Sequence, residues 1–331
     1  MKRRGYVIEQ ICEMDNFHLA ALKARRGKSA KREVIDFFVH SQFNLLSLRE
    51  SILNGQLPKF EYRRFTIFDP KKRQICSTPF SQRVLQHALM NVCHVDFERY
   101  QTDDSYASRI GRGTYKALNK AISNHQKYRF CLKLDIRKFF DSIHHDILKK
   151  QLFRLYKDQR LLSIFYKIID SYEVEYNRGL PIGNLTSQYF ANHYLAVVDH
   201  WVREKLRVKA YVRYMDDMIL WDNDLNKLKK LGNEIKSFIE KQLLLNLKVF
   251  DLKPTSRYCT FLGYRISSHR QLLSRRSVDR YRSRLRLLYY QYNLGIIDEI
   301  SINASLLSMS GFMMHVNSNR QRQKVINSLG G

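Results

Sequence analysis

The sequence predicts an α+β fold, and three observations predict it. Residues 129–135, Arg-Phe-Cys-Leu-Lys-Leu-Asp, alternate apolar and polar side chains and then stop on an acid, as a half-buried strand does. Tyr211–Tyr214 and Met218–Trp221 are two β-prone runs around Met215-Asp216-Asp217, the pattern of a hairpin with a tight turn. Toward both ends of the chain the apolar residues recur instead at helical spacing.

In chain order, Ile8, Ile11, Phe17, Leu19 and Leu22 mark the first helical stretch. A basic interruption, Arg25–Arg32, separates it from a second helical run, Val34–Leu53, which Gly55 and Pro58 close. Residues 60–68 are β-prone, and a turn at Asp69-Pro70 followed by Lys71–Ile75 predicts a basic hairpin. Val84–Phe97 and Leu228–Leu243 predict helices, Cys259–Ile266 predicts a strand, and from Ser277 onward the pattern is helical and basic. There is no internal repeat, low-complexity tract or clear linker.

A chain of 331 residues has room for two or three subdomains around a central core. Its 58 Lys and Arg against 31 Asp and Glu give a net charge of +27, which attracts polyanions, nucleic acid first among them. A membrane partner is not expected: no stretch approaches the ~20 apolar residues of a spanning helix. The start, Met1-Lys2-Arg3-Arg4, leads into Glu9, Glu13 and Asp15 and not into a signal-type apolar run, so a soluble, cytoplasmic protein is expected. Cys12, Cys76, Cys93, Cys131 and Cys259 stand singly, with no C-x-x-C pair. That spacing indicates neither a zinc ribbon nor a disulfide framework, and predicts reduced, mostly buried thiols. The 20 Tyr and 19 Phe suit base stacking, although taken alone core packing accounts for them better.

Three acids carry the chemistry: Asp135 at a strand end, and Asp216 with Asp217 in a hairpin turn. Phosphoryl transfer to a nucleotide needs hard oxygen ligands for two Mg²⁺ ions about 4 Å apart. Asp is short and, when ionised, acceptor-only, which suits that task. An Asp-Asp pair alone reads more readily as an ordinary hairpin turn, and Asp135 as a strand terminator; the neighbours overturn that reading. His144-His145-Asp146 reads as a helix start and not a metal site, because adjacent helical residues face different ways.

Tyr214-Met215-Asp216-Asp217 resembles the Y-x-D-D signature of reverse transcriptases. Leu134–Ile143, with Asp135 and Phe140 inside it, resembles their first palm motif. Asp104–Gly113, Gly179–Gln188 and Phe261-Leu262-Gly263-Tyr264 follow the family's order, and the likeness runs over roughly residues 60–270. Most reverse transcriptases are similar to Q-G-x-x-x-S-P where this chain has Ile182-Gly183-Asn184-Leu185-Thr186-Ser187-Gln188. That version, with the flanking Phe261–Ile266 and Leu272–Val278, resembles the reverse transcriptases of diversity-generating retroelements.

The resemblance implies a right-hand polymerase: an N-terminal helical extension (1–58), fingers (59–130), a palm with an antiparallel sheet and packed helices (131–270, with a fingers insertion around 145–185), and a small helical thumb (271–331). It implies RNA-directed DNA synthesis, copying a template-repeat RNA into cDNA with errors at template adenines. Asp135, Asp216 and Asp217 would be catalytic and, with Ile136, would hold two Mg²⁺ ions, for which Mn²⁺ can substitute. Phe140 matches the steric gate that excludes a 2′-hydroxyl, and Arg73 the arginine over the incoming nucleotide, its fork on the triphosphate and its plane on the base. Ile182, Gly183, Gln188 and Tyr214 complete the nucleotide site, Gly183 allowing close backbone approach. Arg109, Arg112, Lys71 and Lys72 would contact nucleic-acid phosphates. The family's lysine downstream of Y-x-D-D does not align, with Lys248 and Lys253 both near. Implied partners are template RNA, a cDNA or DNA primer, dNTPs and a small basic accessory variability protein. The alternatives are a group II intron-type or retron-type enzyme and a catalytically inactive RNA-binding module. Retention of all three carboxylates argues against the last, since acids in a basic groove cost a binder affinity.

Overall fold

The computed structural model describes residues 2–68 and 72–314, so the expected Asp69-Pro70 turn and Lys71 lie outside the described residues. The chain divides into two compact units. The first comprises Met1–Arg109, Ile136–Arg207 and Glu234–Lys248; the second comprises Ile110–Asp135, Val208–Asn233 and Val249–Gly331.

In the first unit the helix Met14–Arg25 packs along the long helix Phe80–Tyr100. Phe17, Ala20, Ala21 and Ala24 form its buried face, at the three- and four-residue spacing that puts side chains on one stripe. The second helical run is interrupted, a departure from the continuous Val34–Leu53 expected. His40, at φ −114° and ψ 37°, separates Arg32–Val39 from Ser41–Leu53, and the Asn44 side-chain amide donates to the Phe37 carbonyl at 3.0 Å. An aromatic cluster fills the centre, with Phe97 6.2 Å from Tyr156 and Phe165 5.2 Å from Phe190, centroid to centroid. The basic hairpin is present as β1 (Arg63–Ile67) paired antiparallel with β2 (Arg73–Ser77).

The second unit is built on a sheet of β3 (Phe130–Ile136), β4 (Ala210–Tyr214), β5 (Asp217–Asp222) and β6 (Leu247–Pro254), in the order β4-β5-β3-β6. β5 runs antiparallel to both β3 and β4, so Trp221 lies opposite Cys131 on one side and Ala210 on the other. Interior strands are covered on both faces, which is why Cys131, Leu132 and Leu134 are all fully buried. β7 (Cys259–Phe261), β8 (Tyr264–Ile266) and β9 (Gln271–Leu273) form a three-stranded antiparallel sheet. The single strand expected over Cys259–Ile266 is therefore two, because Leu262 and Gly263 take φ 51° and 86° and reverse the chain. Helices Arg275–Asn293 and Glu299–Met314 follow; the Ser274 hydroxyl caps the first through the Ser277 amide at 3.2 Å. Among the described residues no helix is long and apolar enough to cross a membrane.

One close approach has a testable cost. Gly232 lies inside the helix Leu225–Gln242, where Ala would gain about 1 kcal/mol of helix propensity. A Cβ there would sit 2.3 Å from Leu132 Cδ2 and 2.7 Å from Phe250 Cζ. Leu132 is fully buried and has nowhere to turn, so overpacking of about 1–3 kcal/mol outweighs the propensity gain. Gly232→Ala should lower the denaturant midpoint in equilibrium unfolding; a raised midpoint would show the helix free to lift off β3.

Candidate active site

The register of β3 against β5 sets Asp135 directly opposite Asp217. Asp216 precedes Asp217 in the two-residue turn that joins β4 to β5, so three carboxylates gather at one end of one sheet. All three are partly exposed. Like charges directly opposite each other on a sheet repel. Lys133, two residues before Asp135 on the same strand face, offsets this: its ammonium lies 3.0 Å from Asp217 Oδ2 and also donates to the Thr260 carbonyl. Burial pushes the Asp217 carboxyl up to about 7, with Lys133 pulling it back and the charge of Asp135 adding to the rise. The Lys133 ammonium is itself raised: burial works against its charge, and the charge and hydrogen bond of Asp217 outweigh that.

Asp217 Oδ1 is buried and has no hydrogen-bond partner among the described residues. An orphaned carboxylate oxygen beside two further carboxylates is a donor set that fits a hard divalent cation. Ile136, expected beside these acids, has a buried apolar side chain, so only its backbone carbonyl can serve as a ligand.

The turn is held from below. Met215 takes φ 53°, a left-handed conformation that costs a non-glycine residue about 1–3 kcal/mol and persists only where its surroundings enforce it. The fully buried Arg213 directs Nη1 to the Met215 carbonyl at 3.3 Å, and the Tyr214 hydroxyl meets Thr114 Oγ1 at 3.1 Å.

The first unit holds a second group of sequence-singled residues. Arg73 opens β2 and is exposed, as is Lys72 before it. The Cys76 amide on β2 donates to the Ile182 carbonyl at 2.7 Å, which ties the hairpin to the Ile182-Gly183 loop. Gly183, at φ 115°, has room only for hydrogen: a Cβ would lie 2.9 Å from both the Cys76 carbonyl oxygen and Ile75 Cγ2. Gln188 lies in the first turn of the helix Leu185–His200, where its side-chain oxygen accepts from the Ser108 hydroxyl at 3.0 Å. Phe140 is half-buried and packs edge-on against the buried Phe139 at 5.7 Å. Its carbonyl accepts from the Leu180 amide at 2.9 Å, so the Phe140 turn and the segment leading to Gly183 are tied together.

Other residues have local duties. Arg109 pairs with Glu98 at 2.6 Å and donates to the Thr102 and Ser105 carbonyls; its side chain is 6% exposed, so it staples the 98–109 loop. Arg112 is half-buried. His145 Nε2 lies 2.8 Å from the Gly179 carbonyl. Lys253 pairs with Asp251 and donates to the Tyr258 carbonyl, whereas Lys248 is exposed on β6. Reading the sequence singled out neither Lys133 nor Arg213. The period-two spacing of Lys133 from Asp135 was available as a signal; a buried arginine under a turn leaves none.

The Gly183 geometry predicts a measurable opening. Gly183→Ala combines a left-handed φ with a clash against backbone, a cost of about 1–3 kcal/mol borne by the Ile182–Cys76 contact. Native-state hydrogen exchange at the Cys76 amide should accelerate by about 5-fold to 150-fold. Unchanged protection would show that the loop accommodates a side chain there.

The chain is similar to known proteins in sequence and in fold. The family model described as "Reverse transcriptase (RNA-dependent DNA polymerase)" matches residues 65–266, which contain the carboxylates, the β4–β5 hairpin, most of the β1–β2 hairpin and the Gly183 loop. Protein YkfC of Escherichia coli (strain K12) is 24% identical over 266 residues, covering 66% of this chain and 70% of YkfC. The uncharacterized 91 kDa protein in the cob intron of Schizosaccharomyces pombe is 29% identical over 126 residues, 36% of this chain and 16% of that protein. Among solved structures, telomerase from Candida albicans in complex with a fragment of telomeric RNA aligns with a TM-score of 0.50 at 12% identity, over 70% of this chain and 51% of that chain. At that identity the likeness is one of fold, the right-hand polymerase fold. With the family match extending over more than half of its length, the chain belongs to the reverse transcriptase (RNA-dependent DNA polymerase) family.

Proposed function

We propose that this reverse transcriptase copies a template-repeat RNA into cDNA, with errors concentrated at template adenines, as the polymerase of a diversity-generating retroelement. The observation that carries the polymerase chemistry is the β3–β5 register, which puts Asp135 opposite Asp217, the residue that follows Asp216 in the chain. In this reading the three carboxylates and the Ile136 carbonyl hold divalent magnesium, with manganese able to replace it. Magnesium held by these residues would supply Lewis acidity toward the primer 3′-hydroxyl and positive charge toward the pyrophosphate leaving group. Lys133 favours the ionised form of Asp217 and holds it in one orientation. The Arg73 fork binds the triphosphate, and the Phe140 ring excludes a ribose 2′-hydroxyl. Lys71, Lys72 and Arg112 neutralise nucleic-acid phosphates, while Arg109 supports its loop. A small basic accessory protein joins template RNA, primer and dNTPs as a partner.

The retroelement assignment is supported by the loop Ile182–Gln188. A Gln in place of Ile182 would offer the nascent base pair a polar contact, and a Pro in place of Gln188 would stiffen the helix start. Each missing well-placed contact forfeits about 1–3 kcal/mol of discrimination, or roughly 5-fold to 150-fold in selectivity. A group II intron-type enzyme is the second reading, favoured by the intron names of the S. pombe relative and of the COX1/OXI3 intron 1 protein of Saccharomyces cerevisiae.

Sequencing cDNA made by the wild type, Ile182→Gln and Gln188→Pro on one adenine-containing RNA distinguishes the two. The retroelement reading expects frequent errors at adenine in the wild type, and variants that lose misincorporation there more than they lose total synthesis. Error spectra that are equal in all three chains, with no excess at adenine, would favour the intron-type reading.

A further inference from the structure

Three side chains that the polymerase chemistry does not use meet inside the second unit. Cys131 on β3, Cys259 on β7 and His125 on the helix Thr114–Lys127 are each fully buried. Their ligand atoms, two sulfurs and one imidazole nitrogen, all lie within 4.8 Å of one another. They come from three elements and from positions up to 134 residues apart, so folding alone assembles them.

The histidine supplies a second and independent observation. Its Nδ1 lies 3.0 Å from the Ala121 carbonyl and 3.0 Å from Trp221 Nε1, whereas Nε2 is buried with no hydrogen-bond partner among the described residues. A neutral imidazole has one donor and one acceptor nitrogen. The Trp221 indole can only donate, so with Nδ1 accepting from it Nε2 presents an N–H; with the proton on Nδ1 and directed to the Ala121 carbonyl, Nε2 presents a lone pair and the indole N–H gives up its acceptor. A backbone carbonyl holding Nδ1–H is the arrangement that commonly orients a metal-binding histidine. Left unmatched, a buried nitrogen costs about 1–3 kcal/mol, which a ligated ion removes.

We propose that His125, Cys131 and Cys259 form a buried structural site for a thiophilic divalent ion, zinc(II). Two thiolates and a neutral imidazole around a dication carry no net charge, so the site adds no uncompensated charge to the interior. A monovalent ion on the same ligands would leave a buried negative charge. Thiolate sulfur and imidazole nitrogen select zinc over the hard cations that suit carboxylates. Among the described residues no fourth His, Cys, Asp or Glu joins the cluster, so water or a backbone oxygen completes a tetrahedron. The site braces the strand that ends in the active site. Cys131, Lys133 and Asp135 alternate onto one face of β3, which puts the sulfur about 13 Å along the strand from the catalytic carboxylate. Zinc here would fasten β7 and the helix Thr114–Lys127 to that strand, and it takes no part in phosphoryl transfer.

The test uses the full chain and metal alone, with no polymerase assay, so it stands or falls apart from the reverse transcriptase reading. Elemental analysis of chain purified from zinc-containing medium should find about one zinc per molecule, absent from a Cys131→Ser, Cys259→Ser double variant and kept by Asp216→Asn. Exchange of the wild type into cobalt(II) should give thiolate-to-cobalt charge-transfer absorption, a reading that needs no folded variant. Absence of that band, zinc content equal in the wild type and double variant, or a Cys131–Cys259 disulfide in the mass spectrum of unreduced chain would each overturn the proposal.

Discussion

The antiparallel pairing of β3 with β5 is the constraint on which the rest of the site depends. In that register Asp135 faces Asp217, and a slip of one residue would turn one of the two to the opposite side of the sheet. The pairing opposes its own electrostatics, because two carboxylates that a sheet would rather separate are held face to face. Three features make it tolerable. Lys133 supplies a positive charge on the same strand face, Leu132 and Leu134 bury the other face completely, and Trp221 locks the far end of the pair against Cys131. A carboxyl that burial lifts to about 7 is poorly disposed to stay ionised alone. That instability is what a cation at Asp217 Oδ1 would relieve.

The same logic extends to the turn. Met215 is held in a left-handed conformation, and a fully buried guanidinium reaches its carbonyl from beneath. Strain of this kind is sustained by the packing of the second unit, whose core is the interior of the four-stranded sheet. In the first unit the corresponding restraint is the Cys76–Ile182 hydrogen bond, which forbids a side chain at position 183 and fixes the loop to the hairpin that carries Arg73.

Much of this was legible in the residues. β3 and the β4–β5 hairpin could be read because their apolar residues alternate and their acids fall at the ends, where period two and turn chemistry agree. The helices Phe80–Tyr100 and Leu225–Gln242 follow their apolar spacing. What could not be read depends on distant partners or on single backbone angles. Arg109 has the charge of a phosphate ligand, but its nearest acid, Glu98, lies on the preceding helix, and the loop folds around the pair. Cys259–Ile266 has the composition of one strand, and only the φ values at Leu262 and Gly263 make it two. Cys131 and Cys259 carry no ligand spacing in the sequence, because the fold, and not the chain, makes them neighbours of His125.

The central claim is that the three carboxylates at the end of the β3–β5 pair perform nucleotidyl transfer, while the basic surface of a chain with net charge +27 holds the nucleic acid. Asp216→Asn separates the two, since it removes charge from the carboxylate cluster without touching a single Lys or Arg. The most direct measurement is primer extension on an RNA template by the purified variant, beside its affinity for the same primer-template. The account predicts cDNA synthesis lost and affinity retained within a few-fold; undiminished synthesis by the variant would contradict it.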